Sequence, residues 1–164
     1  MKLVTLQDAF IHELRDLYNA EVQLTHALPT MVKAASNEEL GAAFEIHLEE
    51  TKGQIDRLEK IFQSLDVSNR GSKCKAMEGL IEESKNNLDE DASDEVLDAL
   101  LISIAQKIEH YEIAGYGTAR TFAEHLELKE AADLLQESLD EEMAADAKLT
   151  EIAETTVNQE AESR

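Results

Sequence analysis

Four glutamates and one histidine lie on helix faces where this chain would otherwise bury apolar side chains. Glu21 falls within a run of leucines spaced three and four residues apart, and Glu112 and Glu142 interrupt apolar stripes in the same way. On another helix the interruption is His47, and Glu50 follows one turn later on nearly the same face. Carboxylates that converge in a core need protons, water or cations, so the pattern predicts a metal site.

The chemistry of these side chains selects among metals. Carboxylates are hard oxygen ligands that suit iron or manganese, whereas metals that prefer thiolates have nothing to bind on these stripes. The stretch from Glu21 to Glu50 is nearly as long as the stretch from Glu112 to Glu142, so two antiparallel helix pairs bring the carboxylates to similar heights. We therefore expect two metal ions, iron or manganese, in the core. The alternative is that an acidic composition placed these residues on the stripes by chance.

Long helices are the elements that must position these residues. Pro occurs once and Gly six times in 164 residues, so the chain is poor in residues that interrupt helices. The first helix is predicted to start at Thr5, with Asp8 in its first turn, and Pro29 is expected to kink or divide it. Ser36, with Glu39 three positions later, predicts a capping box at the start of the second helix.

The remaining elements predict an all-α bundle with a long crossover. A polar break after the second helix leads to a short amphipathic helix over 75–84, and an acidic break at 88–94 precedes a third long helix. The fourth long helix starts near Lys129. Two helix pairs joined by one long connection are typical of a ferritin-like four-helix bundle. We expect this domain to span 1–156, with a frayed tail at 157–164; a bundle of four or five helices without a site is the alternative.

Composition and charge argue against several function classes. Lys and Arg total 15 against 36 Asp and Glu, and the net charge of -21 repels phosphate backbones and anionic lipid. We therefore expect neither nucleic acid nor membrane as a partner. The chain shows no secretory signal and no apolar stretch of roughly 18 residues, so we expect a cytoplasmic protein. Cys74, the only cysteine, is expected to be an incidental thiol, unless Lys73 and Lys75 activate it.

Several blocks of the sequence resemble the bacterial YciE/YciF family. They extend over about 3–156, and their match in register makes the resemblance specific. The blocks that carry it lie at 8–12, 18–25, 47–51, 74–83, 106–114, 116–118 and 140–146. Members are ferritin-like helical bundles of bacterial stress responses, so the resemblance implies this fold, a metal centre and a homodimer.

The resemblance also implies a set of metal ligands. The wider ferritin and rubrerythrin pattern places a Glu on the first helix and a Glu or Glu-x-x-Glu on the third. It places Glu-x-x-His on the second and fourth helices. The glutamates of this chain that match are Glu21, Glu50, Glu109, Glu112 and Glu142. In the ferritin arrangement, Glu50 and either Glu112 or Glu109 bridge the two ions.

Both histidines of that pattern are missing, since Gly53 and Ala145 stand in their places. The candidate substitutes are His47, one turn before the second-helix Glu, and Asp146, one turn after the fourth-helix Glu. His47 is equally well explained as a hydrogen-bonded core histidine. Tyr116 is expected to pack in the core, with a hydrogen bond to a carboxylate as the alternative. The other histidines are expected at the surface or outside the ligand shell: His12, His26, His110 and His125.

Two functions from different classes remain open. In the first, a di-iron or di-manganese centre performs redox chemistry with oxygen or peroxide. In the second, the chain is a structural or interaction protein of the stress response, and metal only stabilises the bundle. Iron storage is a weaker third possibility, because it needs a large protein shell and no feature of the sequence argues for one.

Overall fold

The computed structural model describes residues 3–163, which form helices joined by short loops and one long crossover. No strand occurs in that part of the chain. Across the same residues, no helix is both long and apolar enough to cross a bilayer. The helices are α1 (Leu6–Ala34), α2 (Glu38–Ser64), α3 (Lys75–Leu88), α4 (Asp94–His125), α5 (Lys129–Ile152) and α6 (Asn158–Glu162), with a π-helical turn at Ala153–Val157 between the last two.

The start of α1 follows the sequence prediction. The Thr5 hydroxyl accepts a hydrogen bond of 3.1 Å from the backbone N–H of Asp8. The Asp8 carboxylate in turn accepts one of 2.9 Å from the backbone N–H of Thr5, which completes a capping box. Pro29 does not divide the helix, because α1 continues through it to Ala34. Leu28 and Met31, on either side of the proline, are both buried and hold the helix against the bundle.

The cap of α2 differs from the prediction. Asn37 is the N-cap, and its side-chain oxygen accepts a hydrogen bond of 3.0 Å from the backbone N–H of Leu40. The expected cap, Ser36, lies one residue outside the helix. The backbone N–H groups of Ser36 and Asn37 donate to the carboxylate of Asp98 on α4, at 2.9 and 2.8 Å. This buried carboxylate fixes the loop from a distant helix, and the local sequence does not reveal it.

The packing confirms an all-α bundle with one long crossover. Short connections join α1 to α2 and α4 to α5, and α1 packs on α4 while α2 packs on α5. The crossover at 65–93 carries α3, which lies against α1 and α4. Four long helices therefore surround one core, with α3 on the outside of the α1–α4 face. The short helix α3 is longer than predicted, since it runs to Leu88 rather than to 84.

Two apolar clusters fill the two ends of the bundle. Phe10, Leu14 and Leu17 of α1 belong to one cluster, and Leu24 and further residues toward the carboxyl end of α1 belong to the other. Complete burial of a leucine or phenylalanine side chain contributes roughly 1.5–3 kcal/mol, so these clusters hold the four helices together. Glu21 lies between them on the same buried stripe. The middle of the bundle is therefore a polar layer between two apolar ends.

The carboxyl-terminal residues correct the prediction of a frayed tail. The helical path continues beyond 156 through the π-helical turn and α6 to Glu162. Val157 is fully buried and joins the apolar cluster that contains Ile152. An apolar side chain spaced to face the core keeps this segment packed against α4.

Candidate metal centre

Each of the four long helices sends an ionisable side chain into the polar layer. Glu21 comes from α1, His47 from α2, Glu109 and Glu112 from α4, and Glu142 from α5. The two α4 glutamates are three residues apart, which places both on one helical face. All five side chains are buried, with at most 4% of any residue exposed. Such burial is unusual for carboxylates and points to a function rather than to solubility.

Four of these residues converge closely enough to share an ion. One ligand atom from each of His47, Glu109, Glu112 and Glu142 lies within 4.8 Å of the other three. His47 Nε2 is 3.4 Å from Glu109 Oε1 and 3.9 Å from Glu142 Oε2. Atoms bound to one ion at about 2.1 Å are no more than about 4.2 Å apart. The cluster therefore needs side-chain shifts on the order of 1 Å to close onto an ion.

Several polar atoms of this cluster lack a hydrogen-bond partner among the described residues. Across residues 3–163, the buried atoms without a hydrogen-bond partner include both ring nitrogens of His47, both carboxyl oxygens of Glu112 and one oxygen each of Glu21, Glu109 and Glu142. Native proteins satisfy the great majority of buried polar groups. A group of unpartnered oxygen and nitrogen atoms that face one another is the donor set that a hard divalent cation requires. The residues present thus fit a metal ion.

Glu21 adjoins this group through two contacts. The Tyr116 hydroxyl, itself fully buried, donates a hydrogen bond to Glu21. The Glu21 and Glu112 carboxyl groups lie close enough to share a hydrogen bond when one of them is protonated. Burial and the negative charge of Glu142 raise the pKa of Glu21 to about 8. Tyr116 therefore packs in the core, as expected, and also makes the hydrogen bond to a carboxylate that was the alternative.

The pKa values of the neighbouring carboxyl groups are also raised. Burial, followed by contact with Glu142, raises the pKa of Glu109 well above its usual range. Burial and the charge of Glu21 raise the pKa of Glu112. Burial opposes protonation of His47, but the adjacent Glu50 and the charges of Glu142 and Glu21 outweigh it and raise the pKa of the imidazole. A raised pKa favours the protonated form of each group, and a divalent cation that binds these groups displaces the protons they carry.

Two predicted ligands lie at the edge of the cluster. The Glu50 carboxylate is 3.6 Å from His47 Nδ1, and its side chain is 32% exposed. Asp146 lies 3.3 Å from Nε2 of the exposed His110 and accepts a hydrogen bond of 3.1 Å from Gln106. Neither residue belongs to the group of four that share a common centre. Ligation by Glu50 or Asp146 therefore stays a prediction, whereas His12, His26 and His125 are exposed as expected.

Sequence reasoning missed the support that α2 gives to Glu142. Gln54 lies fully buried one turn after Thr51, and its amide donates a hydrogen bond to Glu142 and another of 3.0 Å to Glu141. The signal was present, since Gln54 falls on the buried stripe of α2. A polar amide on such a stripe predicts a hydrogen-bond partner in the core. Outer contacts of this kind orient metal ligands and tune their affinity.

Cys74 lies away from this centre and has a structural role. It is buried and caps α3, with Sγ accepting a hydrogen bond of 3.5 Å from the backbone N–H of Met77. Burial raises the pKa of the thiol. Lys73 and Lys75 pair with Glu78 instead of activating the thiol. The expectation of an unreactive cysteine fits this environment.

Comparison with known families now gives this arrangement a context. The model of a family described as a domain of unknown function (DUF892) matches residues 5–162. The chain belongs to the DUF892 family. Protein YciF from Escherichia coli (strain K12) is 50% identical over 165 residues, which cover 100% of this chain and 99% of YciF. The resemblance seen in the sequence blocks is thereby confirmed.

Solved structures of similar proteins have the same fold. The crystal structure of the Escherichia coli stress protein YciF has a TM-score of 0.91 and 51% identity, and the match covers 95% of this chain and 99% of YciF. YcfI from Rhodopseudomonas palustris, designated a candidate structural protein, has a TM-score of 0.88 and 43% identity over 91% of this chain and 95% of its own. Protein XCC3681 from Xanthomonas campestris pv. campestris shares the fold, with a TM-score of 0.75. It is 22% identical, and the match covers 94% of both chains.

Proposed function

We propose that this DUF892 protein binds two iron or manganese ions in the polar layer and uses them in redox chemistry with oxygen or peroxide during bacterial stress. The observation that carries the proposal is the buried group of His47, Glu109, Glu112 and Glu142, whose ligand atoms face one another without partners. The similarity to the stress protein YciF supports the physiological setting. Ions of these metals supply one-electron oxidation and reduction steps when bound.

Charge balance favours two ions over one. Glu21, Glu109, Glu112 and Glu142 carry four negative charges when ionised, and two divalent cations neutralise them. Within residues 3–163, His47 is the one basic side chain buried in the layer, so the protein cannot supply this compensation itself. Leaving four carboxylates ionised and unpaired in a dry core is prohibitively costly.

The chain's own residues divide the work of such a centre. The α4 pair Glu109 and Glu112 presents carboxylates from one rigid helical face to the ligands of α2 and α5. Tyr116 and Gln54 fix the orientation of Glu21 and Glu142 by hydrogen bonds. The apolar clusters close the layer on its two sides along the bundle. Each ligand carboxyl that carries a proton would release it on metal binding.

The direct test is metal uptake by the metal-free chain. We expect titration with ferrous or manganous ion under anaerobic conditions to end at about two equivalents per chain. The loaded protein should then consume hydrogen peroxide or oxygen faster than the metal-free protein. A chain that takes up neither metal contradicts the proposal. Uptake without consumption of either oxidant contradicts the redox part alone.

A second function is favoured by the designation of YcfI as a candidate structural protein. In that case the bundle recognises a partner in the stress response, and metal only stabilises it. Stress survival of cells that carry Glu142→Gln separates the two functions. Loss of survival with normal protein levels supports the redox function, and full survival supports the structural one.

A further inference from the structure

A pocket between α2 and α5 connects the surface with the inner polar layer. It has a volume of about 310 Å³. Its inner end is formed by His47 and Glu109, and its outer part is lined by Ile46 and Ala145 among other residues. A cavity of this size is at the lower end of the range for small-molecule sites.

The imidazole of His47 lies at the inner end of the pocket. His47 is 4% exposed, and both of its ring nitrogens lack a hydrogen-bond partner within residues 3–163. The ring lines the pocket together with Glu109, 3.4 Å away. A buried imidazole with free nitrogens offers one donor and one acceptor to a ligand when neutral, and donors only when protonated. The carboxylates of Glu50 and Glu109 lie 3.6 and 3.4 Å from the ring nitrogens without completing a hydrogen bond, so a head group that completes one gains affinity here.

The walls of the pocket are mostly apolar, its mouth carries both charges, and the carboxylate of Glu50 also lines it. Ala42, Ala43 and Phe44 line one side, and Ala144, Ala145 and Leu149 line the other. At the mouth, Lys148 pairs with Glu39 across the two helices at 2.6 Å. Because that pair is already satisfied, the mouth offers no free cation to a carboxylate ligand. A charged ligand would lose its hydration against alanine and leucine side chains.

Small residues of α5 keep the passage open. Ala145 stands where the rubrerythrin pattern has a histidine, and it lines the pocket rather than filling it. Ile46 lines the outer part of the pocket with 62% of its surface exposed. A ligand that covered Ile46 would remove apolar area from water, which favours binding.

We propose that this pocket binds small neutral molecules that have an apolar body and one hydroxyl or hydroperoxyl head group. The body lies against the alanines and Ile46, and the head group reaches His47 and Glu109. The substrate class for the proposed function is then an organic hydroperoxide. Its reduction to the corresponding alcohol and water would take two protons and two electrons, one electron from each of two divalent iron or manganese ions. Only this assignment of a substrate rests on the proposed metal centre, since binding of the alcohol needs the pocket alone.

The experiment uses cumyl alcohol, whose body and hydroxyl match this description, and the full chain freed of metal with a chelator. We expect saturable binding of one molecule per chain with a dissociation constant of about 1 mM or tighter, by calorimetry or chemical-shift titration. Cumene, which lacks the hydroxyl, and phenylacetate, which carries a charge, should each bind at least about tenfold more weakly. Equal binding of cumene, tighter binding of phenylacetate, or no binding of the alcohol overturns the proposal.

Two variants place the binding in this pocket. Ala145→Leu adds side-chain volume inside the cavity and should weaken cumyl alcohol binding at least about tenfold. Its control, Ala147→Leu, makes the same change at an exposed site on the same helix and should bind like the parent chain. If Ala145→Leu fails to fold by circular dichroism, Ile46→Glu, at an exposed lining position, should weaken binding as well. Unchanged binding in a folded pocket variant overturns the proposal.

The outcome separates the pocket from the metal centre. Metal uptake is measured on the unmodified chain in a parallel titration. A chain that takes up metal but not cumyl alcohol keeps the metal centre and loses the pocket. A chain that binds the alcohol but takes up no metal keeps the pocket and loses the proposed redox function.

Discussion

Two neighbouring glutamates on α5 differ in burial and in the groups that face their carboxylates, because they point to different sides of the helix. Glu141 is half-buried and faces Arg57 of α2, which also lies 2.9 Å from Glu137. Glu142 is fully buried and faces Gln54 and His47. The first carboxylate has a permanent cation within the protein. The second has an amide and a titratable imidazole in its place.

This difference distinguishes a structural ion pair from a binding site. The pair of Arg57 and Glu141 is complete without any added component, because the guanidinium stays charged at all physiological pH values. The cluster around Glu142 is incomplete, since its carboxylates outnumber the basic groups that face them. Buried carboxylates that outnumber the basic groups facing them, beside a compensated pair on the same helices, are the contrast on which the proposed metal centre rests.

The largest expected effect is the loss of metal affinity when the buried carboxylate of Glu142 is removed. Glu142→Gln preserves the size of the side chain but removes its negative charge, so we expect iron or manganese affinity to fall at least about 100-fold. Glu141→Gln, the matched change one residue earlier, should leave the affinity within about threefold of the parent value. Isothermal titration with manganous ion measures both. Equal losses in the two variants would show that overall negative charge, rather than the buried cluster, attracts the metal.

Metal should stabilise the fold through the buried cluster. At a metal concentration 100 times the dissociation constant, the free energy of unfolding rises by about 2.7 kcal/mol. For a chain of this length we expect the melting temperature to rise by roughly 5–10 °C. Differential scanning calorimetry with and without chelator tests this increment. The parent and Glu141→Gln should show it and Glu142→Gln should not, and an increment retained in Glu142→Gln would contradict the assignment of the site.

The stability of the metal-free protein should fall as the pH rises. The pKa of Glu21 is about 8 in the folded chain against an ordinary value of 4.5. Between these values the folded chain holds a proton that the unfolded chain has released, so its advantage is complete below about pH 4.5 and is lost toward pH 8. The slope reaches up to about 1.4 kcal/mol for each pH unit.

Urea unfolding from pH 5 to pH 8 measures this slope. Glu21→Gln should flatten it, because the amide cannot ionise, whereas Glu137→Gln, at an exposed site, should leave it unchanged. A metal-free parent whose stability rises over this pH range would show that the buried carboxyls are ionised and compensated in some other way.

The smallest effect is expected at the compensated pair. Arg57→Gln removes the cation that faces Glu137 and Glu141 at the edge of the bundle, and such pairs contribute up to about 1 kcal/mol. Chemical denaturation should show a loss of that order, with metal affinity within about threefold of the parent. A loss of several kcal/mol would mean that Arg57 also compensates the inner cluster, and the contrast between Glu141 and Glu142 would fail.

Much of the fold follows from periodicity. Leucines and isoleucines at three- and four-residue spacing place Glu21, Glu112 and Glu142 on buried stripes, and the structure buries all three. The helical spacing of Gln54 and Val157 likewise places both side chains on buried faces. From the sequence we nevertheless assign no role to the Gln54 amide and predict a frayed segment around Val157. Periodicity reports which face of a helix is buried. It does not report which buried polar group meets which partner.

The helices, the crossover and the inward carboxylates could be predicted from the amino-acid sequence, because they depend on the spacing of residues within single helices. The convergence of His47, Glu109, Glu112 and Glu142, with Glu50 and Asp146 at the edge of the group, is visible only in the folded structure. The relative rotation of four helices sets those distances, and that rotation depends on how the two apolar clusters pack together. The same packing left the pocket between α2 and α5 open to His47, which no spacing along one helix could reveal.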